Sequence, residues 1–170
     1  MPDLMARADN PPVRVASLPR LTRLLLRGDP AALGAALGLT LPTTPCTARP
    51  GERAVLWLGP DEWLLLTEEA SVKEPWEDAS GAIFDVSDRQ IGLMVEGERA
   101  ADILAAGCPL DLTAFAVDAC TRTVFGKAEI VLWRRDATSF HVETARSFGP
   151  YVRQLLAEAI RTSPGRSRAG

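Results

Sequence analysis

The sequence predicts an α+β fold of two α+β halves, built on mainly antiparallel sheets that share a core. Short apolar runs outnumber helical stretches, and tight turn signals separate most of them, as in hairpin-connected strands. The element order reads β-β-α-β-β and then β-β-α-β-β-β-α, a duplication of architecture without a sequence repeat. A chain of 170 residues can also bury roughly 70% of its unfolded surface, so it folds without a disulfide or metal. Residues 12–162 are expected to form a single domain, with 12–79 and 80–162 as its two lobes. Residues 1–11 and 163–170 are expected to be flexible tails.

Each element follows from local chemistry. Val13 to Leu18 and Leu21 to Arg27 read as strands, the first ended by Pro19. Asp29-Pro30 starts a short helix over Ala31 to Leu37, because Asp caps free N–H groups and Pro tolerates the first turn. Gly38 can end it in the left-handed conformation. Leu41 to Gly51, with three prolines, is a loop. Leu56 to Leu66 holds two apolar runs around Gly59-Pro60-Asp61, which reads as two buried strands meeting at a tight corner. Polar Glu68 to Ser80 marks the boundary between lobes and has room for a helical turn.

The second half opens with a strand over Gly81 to Val86. Ser87-Asp88 turns the chain, and Gln90 to Val95 is expected to run back beside that strand. Glu98 to Ala106 is a helix with Ala100, Ile103 and Leu104 on one face, stopped by Gly107. Cys108 to Leu112 is a compact connector. Gly126-Lys127 joins Thr121–Phe125 to Ala128–Arg134 in a two-residue hairpin, and Ser139 to Glu143 completes a meander. The last helix is expected to use Ser147 as its N-cap. Its apolar stripe is Phe148, Tyr151, Val152, Leu155, Leu156 and Ala159.

Composition excludes several functions. A net charge of −3 and a pI near 5.3 give no general attraction to nucleic acid. No apolar run approaches the ~20 residues of a membrane helix, and residues 1–12 lack the apolar core of a secretory signal. The expected location is the cytoplasm. Cys46, Cys108 and Cys120 are too scattered for a metal knuckle and read as reduced structural thiols. No glycine-rich phosphate loop and no Gly-x-Ser-x-Gly elbow occurs.

Individual residues also offer little catalysis. His141 is the single histidine. Alternation with Phe140 and Val142 points it away from the core, and no nucleophile or orienting acid is identifiable beside it. Asp61 and Glu62 are adjacent and so face opposite ways, which suits turn and edge duty better than acid–base work. Asp85, Asp88 and Arg89 suit a local ion pair. Trp57 and Trp63 read as core. Trp76 and Trp133 stand between core packing and exposure as partner anchors.

Several motifs in order carry a family resemblance. Ala82-Ile-Phe-Asp-Val-Ser87, Gly92-Leu-Met-Val-Glu-Gly97 and Ala100-Ala-Asp-Ile-Leu104 resemble the glycine-cleavage T-protein, an aminomethyltransferase. Leu58-Gly-Pro-Asp-Glu-Trp-Leu-Leu65, Asp85-Val-Ser-Asp88, Cys108-Pro-Leu-Asp-Leu112 and Arg146-Ser-Phe148 are similar to the gamma subunit of heterotetrameric sarcosine oxidase. The resemblance spans roughly residues 12–160. It implies ferredoxin-like, T-protein-like halves and a complex with alpha, beta and delta chains. That complex demethylates sarcosine oxidatively to glycine, with hydrogen peroxide and, given tetrahydrofolate, methylenetetrahydrofolate as products. FAD and FMN are implied for the beta chain, and NAD and the folate site for the alpha chain.

The departures bear on activity. The T-protein's Gly-Gly-Ile-x-Asp-Asp segment corresponds here to Phe125-Gly-Lys-Ala-Glu-Ile-Val131, and Glu129 alone does not replace the paired acids. The Lys-Gly-Cys-Tyr-x-Gly-Gln-Glu motif of the folate-binding iron–sulfur assembly relatives is absent too. The expectation is a non-catalytic structural subunit, with no catalytic, cofactor-binding or metal residue carried over. The alternatives are an independent folate-binding aminomethyltransferase, the equivalent subunit of a related N-methyl amino acid dehydrogenase, and a generic one-carbon binding module.

Overall fold

The computed structural model describes residues 13–70 and 75–163. The first lobe region holds β1 (Arg14–Ser17), β2 (Thr22–Gly28), α1 (Pro30–Leu37), β3 (Ala48–Arg49), β4 (Arg53–Gly59), β5 (Glu62–Thr67) and β6 (Trp76–Asp78). Then come β7 (Gly81–Asp85), β8 (Gln90–Glu96), α2 (Ala100–Ala105), β9 (Cys120–Phe125), β10 (Ala128–Arg134), β11 (Ser139–Ala145) and α3 (Gly149–Thr162). The expected leader lies outside the described residues, as does the tail apart from Ser163.

Two antiparallel sheets result. One has five strands in the order β1-β8-β11-β10-β9, the other six in the order β3-β4-β5-β2-β7-β6. They stack face to face, with Leu56, Leu64 and Leu66 of the six-stranded sheet against Cys120, Val131 and Trp133 of the five-stranded one. Helices α2 and α3 cover the outer face of the five-stranded sheet, where Leu104, Val152 and Leu156 meet Leu93, Leu132 and Val142. Leu33 and Leu37 of α1 cover the other outer face, over Leu24, Leu26, Trp63 and Leu65. Both sheets are therefore buried on both faces, and each fully buried Leu contributes about 1.5–3 kcal/mol of transfer free energy.

The local signals act as expected at several points. Asp29 Oδ1 accepts the Ala32 N–H at 2.8 Å, Pro30 fills the first turn, and Gly38 closes α1 at φ 67°. Phe125 pairs with Ala128 across the two-residue turn, and β9, β10 and β11 form the meander. The Gly-Pro-Asp corner joins β4 to β5 with a bulge between Trp57 and Gly59. Trp63 is fully buried, and Trp57 and Trp76 are half-buried against the α1 core.

Other expectations are overturned. Strands β7 and β8 do not pair: β7 binds β2, and β8 lies between β1 and β11 in the other sheet. The Asp85–Asp88 segment is a crossover between sheets, not a hairpin. Asp85 Oδ1 accepts the Ser87 N–H, and Ser87 Oγ accepts the Arg23 N–H, which docks the bend on β2. Asp88 pairs with Arg20, not Arg89. Sheet membership also ignores the 79/80 division, since β1 joins the five-stranded sheet and β7 the six-stranded one. Ser147 does not cap α3. Arg146–Phe148 form a 3-10 turn, and Pro150 occupies the helix start. The choice left open at Trp133 resolves as core, at 2% exposure, and of the three cysteines read as structural thiols Cys108 and Cys120 are buried while Cys46 is exposed.

Candidate functional site

The charged side chains that matter lie in the seam between the sheets. Arg122, Val131 and Glu143 stand in one cross-strand row, and Gly92 of β8 continues it. Cross-strand partners share a face, so all of these positions point at the opposing sheet. The next row is Cys120, Trp133, His141 and Met94. His141 does sit opposite in sense to Phe140 and Val142, but the face it turns to is the second sheet and not solvent. It is 2% exposed.

At one end of the row Glu143 binds Arg23 of β2 in a two-point ion pair. Arg23 Nε donates to Oε2 at 2.6 Å and Nη2 to Oε1 at 3.1 Å, while Nη1 donates to the Leu21 carbonyl. His141 Nε2 lies 2.6 Å from the same Oε1. Burial pushes the Glu143 pKa up, but the hydrogen bonds and charges of His141 and Arg23 outweigh it and hold the carboxyl below its ordinary value. A carboxylate only accepts, so Nε2 donates to it. The absence of a side chain at Gly92 makes room: a Cβ there would stand 2.6 Å from Glu143 Oε1 and 2.8 Å from Leu18 Cδ1.

At the other end Arg122 reaches Glu62, which also faces Arg27 at 3.5 Å. The Arg122 hydrogen bond lowers the Glu62 pKa against the opposing effect of burial, and Glu62 raises that of Arg122. Glu62 thus does more than edge duty, because it ties β5 to β9. Beside it in the seam, burial pushes the Cys120 thiol up to about 12, so it is an unreactive core group at neutral pH. Among the described residues no cluster of His, Cys, Asp and Glu has the makeup of a metal site. No helix of the described residues is long and apolar enough to cross a membrane.

The seam opens at one mouth into a cavity of about 950 Å³. Trp133, His141, Leu21, Ala54 and Leu66 line it, with Arg49, Arg53, Arg135, Glu52, Glu68 and Glu69 among the charged residues around it. Trp133 stacks on His141 with ring centroids 5.7 Å apart and 29° between planes. The Arg135 guanidinium lies 4.7 Å from the Trp133 ring centroid. The sequence reading missed Arg23, Glu143 and Arg122 altogether. The available signal was an arginine inside the leucine-rich run Leu21–Leu26, with a histidine and a glutamate two apart in a distant strand.

Comparison with known proteins follows this architecture. The glycine cleavage system aminomethyltransferase T from Bartonella henselae superposes with a TM-score of 0.62 at 12% identity, over 85% of this chain and 45% of that one. That likeness concerns fold alone and defines the class as a T-protein-like α+β chain. The family model described as "Sarcosine oxidase, gamma subunit family" matches residues 27–161, and the chain belongs to that family. The sarcosine oxidase subunit gamma of Corynebacterium sp. (strain U-96) is 33% identical over 153 residues, 82% of this chain and 75% of the relative. The Arthrobacter sp. subunit gamma is 34% identical over 139 residues, 76% and 68% of the two chains. A chain of the heterotetrameric sarcosine oxidase from Corynebacterium sp. U-96, solved with pyrrole 2-carboxylate, matches with a TM-score of 0.82 at 29% identity. The match covers 94% of this chain and 90% of that one.

Proposed function

We propose that this chain is the non-catalytic structural subunit of a heterotetrameric sarcosine oxidase, assembled with alpha, beta and delta chains in the cytoplasm. The complex oxidises sarcosine to glycine and passes the one-carbon unit to tetrahydrofolate, using FAD, FMN and NAD held by the other subunits. The observation that carries this reading, beside family membership, is where the chain spends its charged groups. Arg23, Glu143, Glu62 and Arg122 are consumed in ties between the two sheets. On the Phe125–Val131 hairpin, Glu129 is exposed and 3.8 Å from Arg122, with no second acid beside it in sequence. Such ties keep two sheets in one relative position, which suits a chain that presents a rigid surface to larger partners.

Co-expression tests the reading. The chain should copurify with the larger subunits, and the chain purified alone should show no flavin absorbance and no sarcosine-dependent peroxide. Sarcosine turnover by the isolated chain would sink the proposal. Micromolar tetrahydrofolate binding by the chain alone, measured by calorimetry, would favour the independent aminomethyltransferase instead.

A further inference from the structure

Two cysteines distant in sequence, Cys46 and Cys120, meet across a strand bridge. Thr47 pairs antiparallel with Ala119. The Cys120 N–H donates to the Cys46 carbonyl at 2.9 Å, and the Ala48 N–H donates to the Asp118 carbonyl at 2.8 Å. This register sets Cys46 directly opposite Cys120, in a hydrogen-bonded position. Partners of that kind share a face, and their Cα atoms lie about 5.5 Å apart. A disulfide spans Cα separations of roughly 4.4–6.8 Å, so the backbone holds this pair at bonding range.

The thiols differ in access. Cys46 stands where the turn at Pro45–Cys46 enters the bridge, and it is exposed. Cys120 is buried, and its Sγ donates to the Trp57 carbonyl at 3.4 Å. Burial is the main cause of the raised Cys120 pKa, and the Cys46 sulfur adds to it, as like charges do at short range. Cys108 is buried too, but its sulfur lies beside Thr123 in the core under α2 and α3. That core is on the outer face of the five-stranded sheet, so the sheet separates Cys108 from Cys120.

We infer that Cys46 and Cys120 form a disulfide on oxidation by hydrogen peroxide, linking the segment that enters β3 to β9 of the other sheet. The chemistry balances in two steps. The Cys46 thiolate attacks one peroxide oxygen, the O–O bond breaks, and hydroxide leaves to take up the proton the thiol gave up. Cys46 is then a sulfenic acid and one water has formed. The Cys120 sulfur next displaces the sulfenic hydroxyl, which departs with the Cys120 proton as a second water. Two thiols are oxidised to one disulfide, and one peroxide is reduced to two waters. The exposed sulfur reacts first because Cys120 is closed to reagents in solvent, and the register then presents the sulfenic sulfur to Cys120. The pairing rests on the register; only a nearby source of peroxide rests on the proposed place in an oxidase.

The test exposes the full chain, folded and reduced, to hydrogen peroxide. Remaining thiols are then alkylated in denaturant, and peptides are mapped by mass spectrometry after cleavage at aspartate, which separates Cys108 from Cys120 at Asp111 and Asp118. The monomer should lose two hydrogens, one peptide pair should join Cys46 to Cys120, Cys108 should be alkylated, and dithiothreitol should reverse the link. Cys46→Ser keeps a Cβ at the left-handed φ of 58° and lies outside the core, so its fold is retained. It should abolish the linked pair and leave Cys120 fully alkylated. Cys120→Ala, with folding checked by a thermal melt, should stop at a Cys46 sulfenic acid that dimedone traps. Free Cys120 after Cys46 has been consumed, a link through Cys108 or between two chains, or Cys120 oxidised as readily in Cys46→Ser would each overturn the inference.

Discussion

At one end of the Arg122–Val131–Glu143 row, the Arg23–Glu143 pair leaves 3% and 1% of its side-chain surfaces exposed. At the other, Arg122–Glu62 leaves 40% and 12%. Both pairs join the same two sheets, so what separates them is water. The buried pair meets a low effective dielectric, and breaking it leaves an uncompensated charge. The half-exposed pair is screened by solvent and salt, and its arginine can return to water when the partner is lost. Burial, not the presence of an ion pair, decides how much each end holds the sheets together.

The largest test of this contrast removes one member of the buried pair. Arg23→Met or Glu143→Leu alone should destabilise by about 3–5 kcal/mol, read from urea unfolding. The double replacement should recover most of that loss, because it leaves no lone charge. Equal losses in the single and double variants would mean that packing, not charge, dominates this end.

Gly92→Ala should follow, at about 1–3 kcal/mol, since its methyl would press on Glu143 Oε1 and Leu18. Gly→Ala at an unstrained open position stabilises instead, so the sign of the effect checks whether the pair needs that gap.

Acid should act next. The folded Glu143 binds its proton at lower pH than the unfolded chain does. Its contribution is present above the ordinary carboxylate range and is lost as pH falls through the lowered folded value. Urea midpoints from neutral pH to about pH 4 should therefore fall in the parent protein, and less steeply in Glu143→Gln. The smallest effect belongs to the exposed end. Arg122→Gln should cost about 0–1 kcal/mol, shrinking as salt is added. A loss as large as that of Arg23→Met would erase the distinction between the ends.

Local chemistry was legible in the sequence. Asp29, Pro30 and Gly38 bound α1, and Gly126-Lys127 turns the meander, because caps and turns are settled by residues within a few positions. The alternation in β11 was also right about which residues share a face. It could not say what covers that face, so His141, read as outward, lies inside the seam. Trp133, open in the sequence between core and exposed anchor, lies on the same covered face. A polar residue alternating with apolar ones reads as solvent-facing only when the sheet has one wet side, and this sheet has none.

The sequence by itself determined the α+β class, most strands, the helix ends of α1 and, through motifs in order, the family. Those features rest on short-range hydrogen bonding, on side-chain periodicity and on contiguous residues. Only the tertiary structure decided that β7 and β8 part into different sheets and that Arg23 meets Glu143, 120 residues away. Strand pairing uses backbone groups that every residue carries, and a buried charge chooses its partner by proximity after the sheets have stacked. Neither leaves a local mark on the chain.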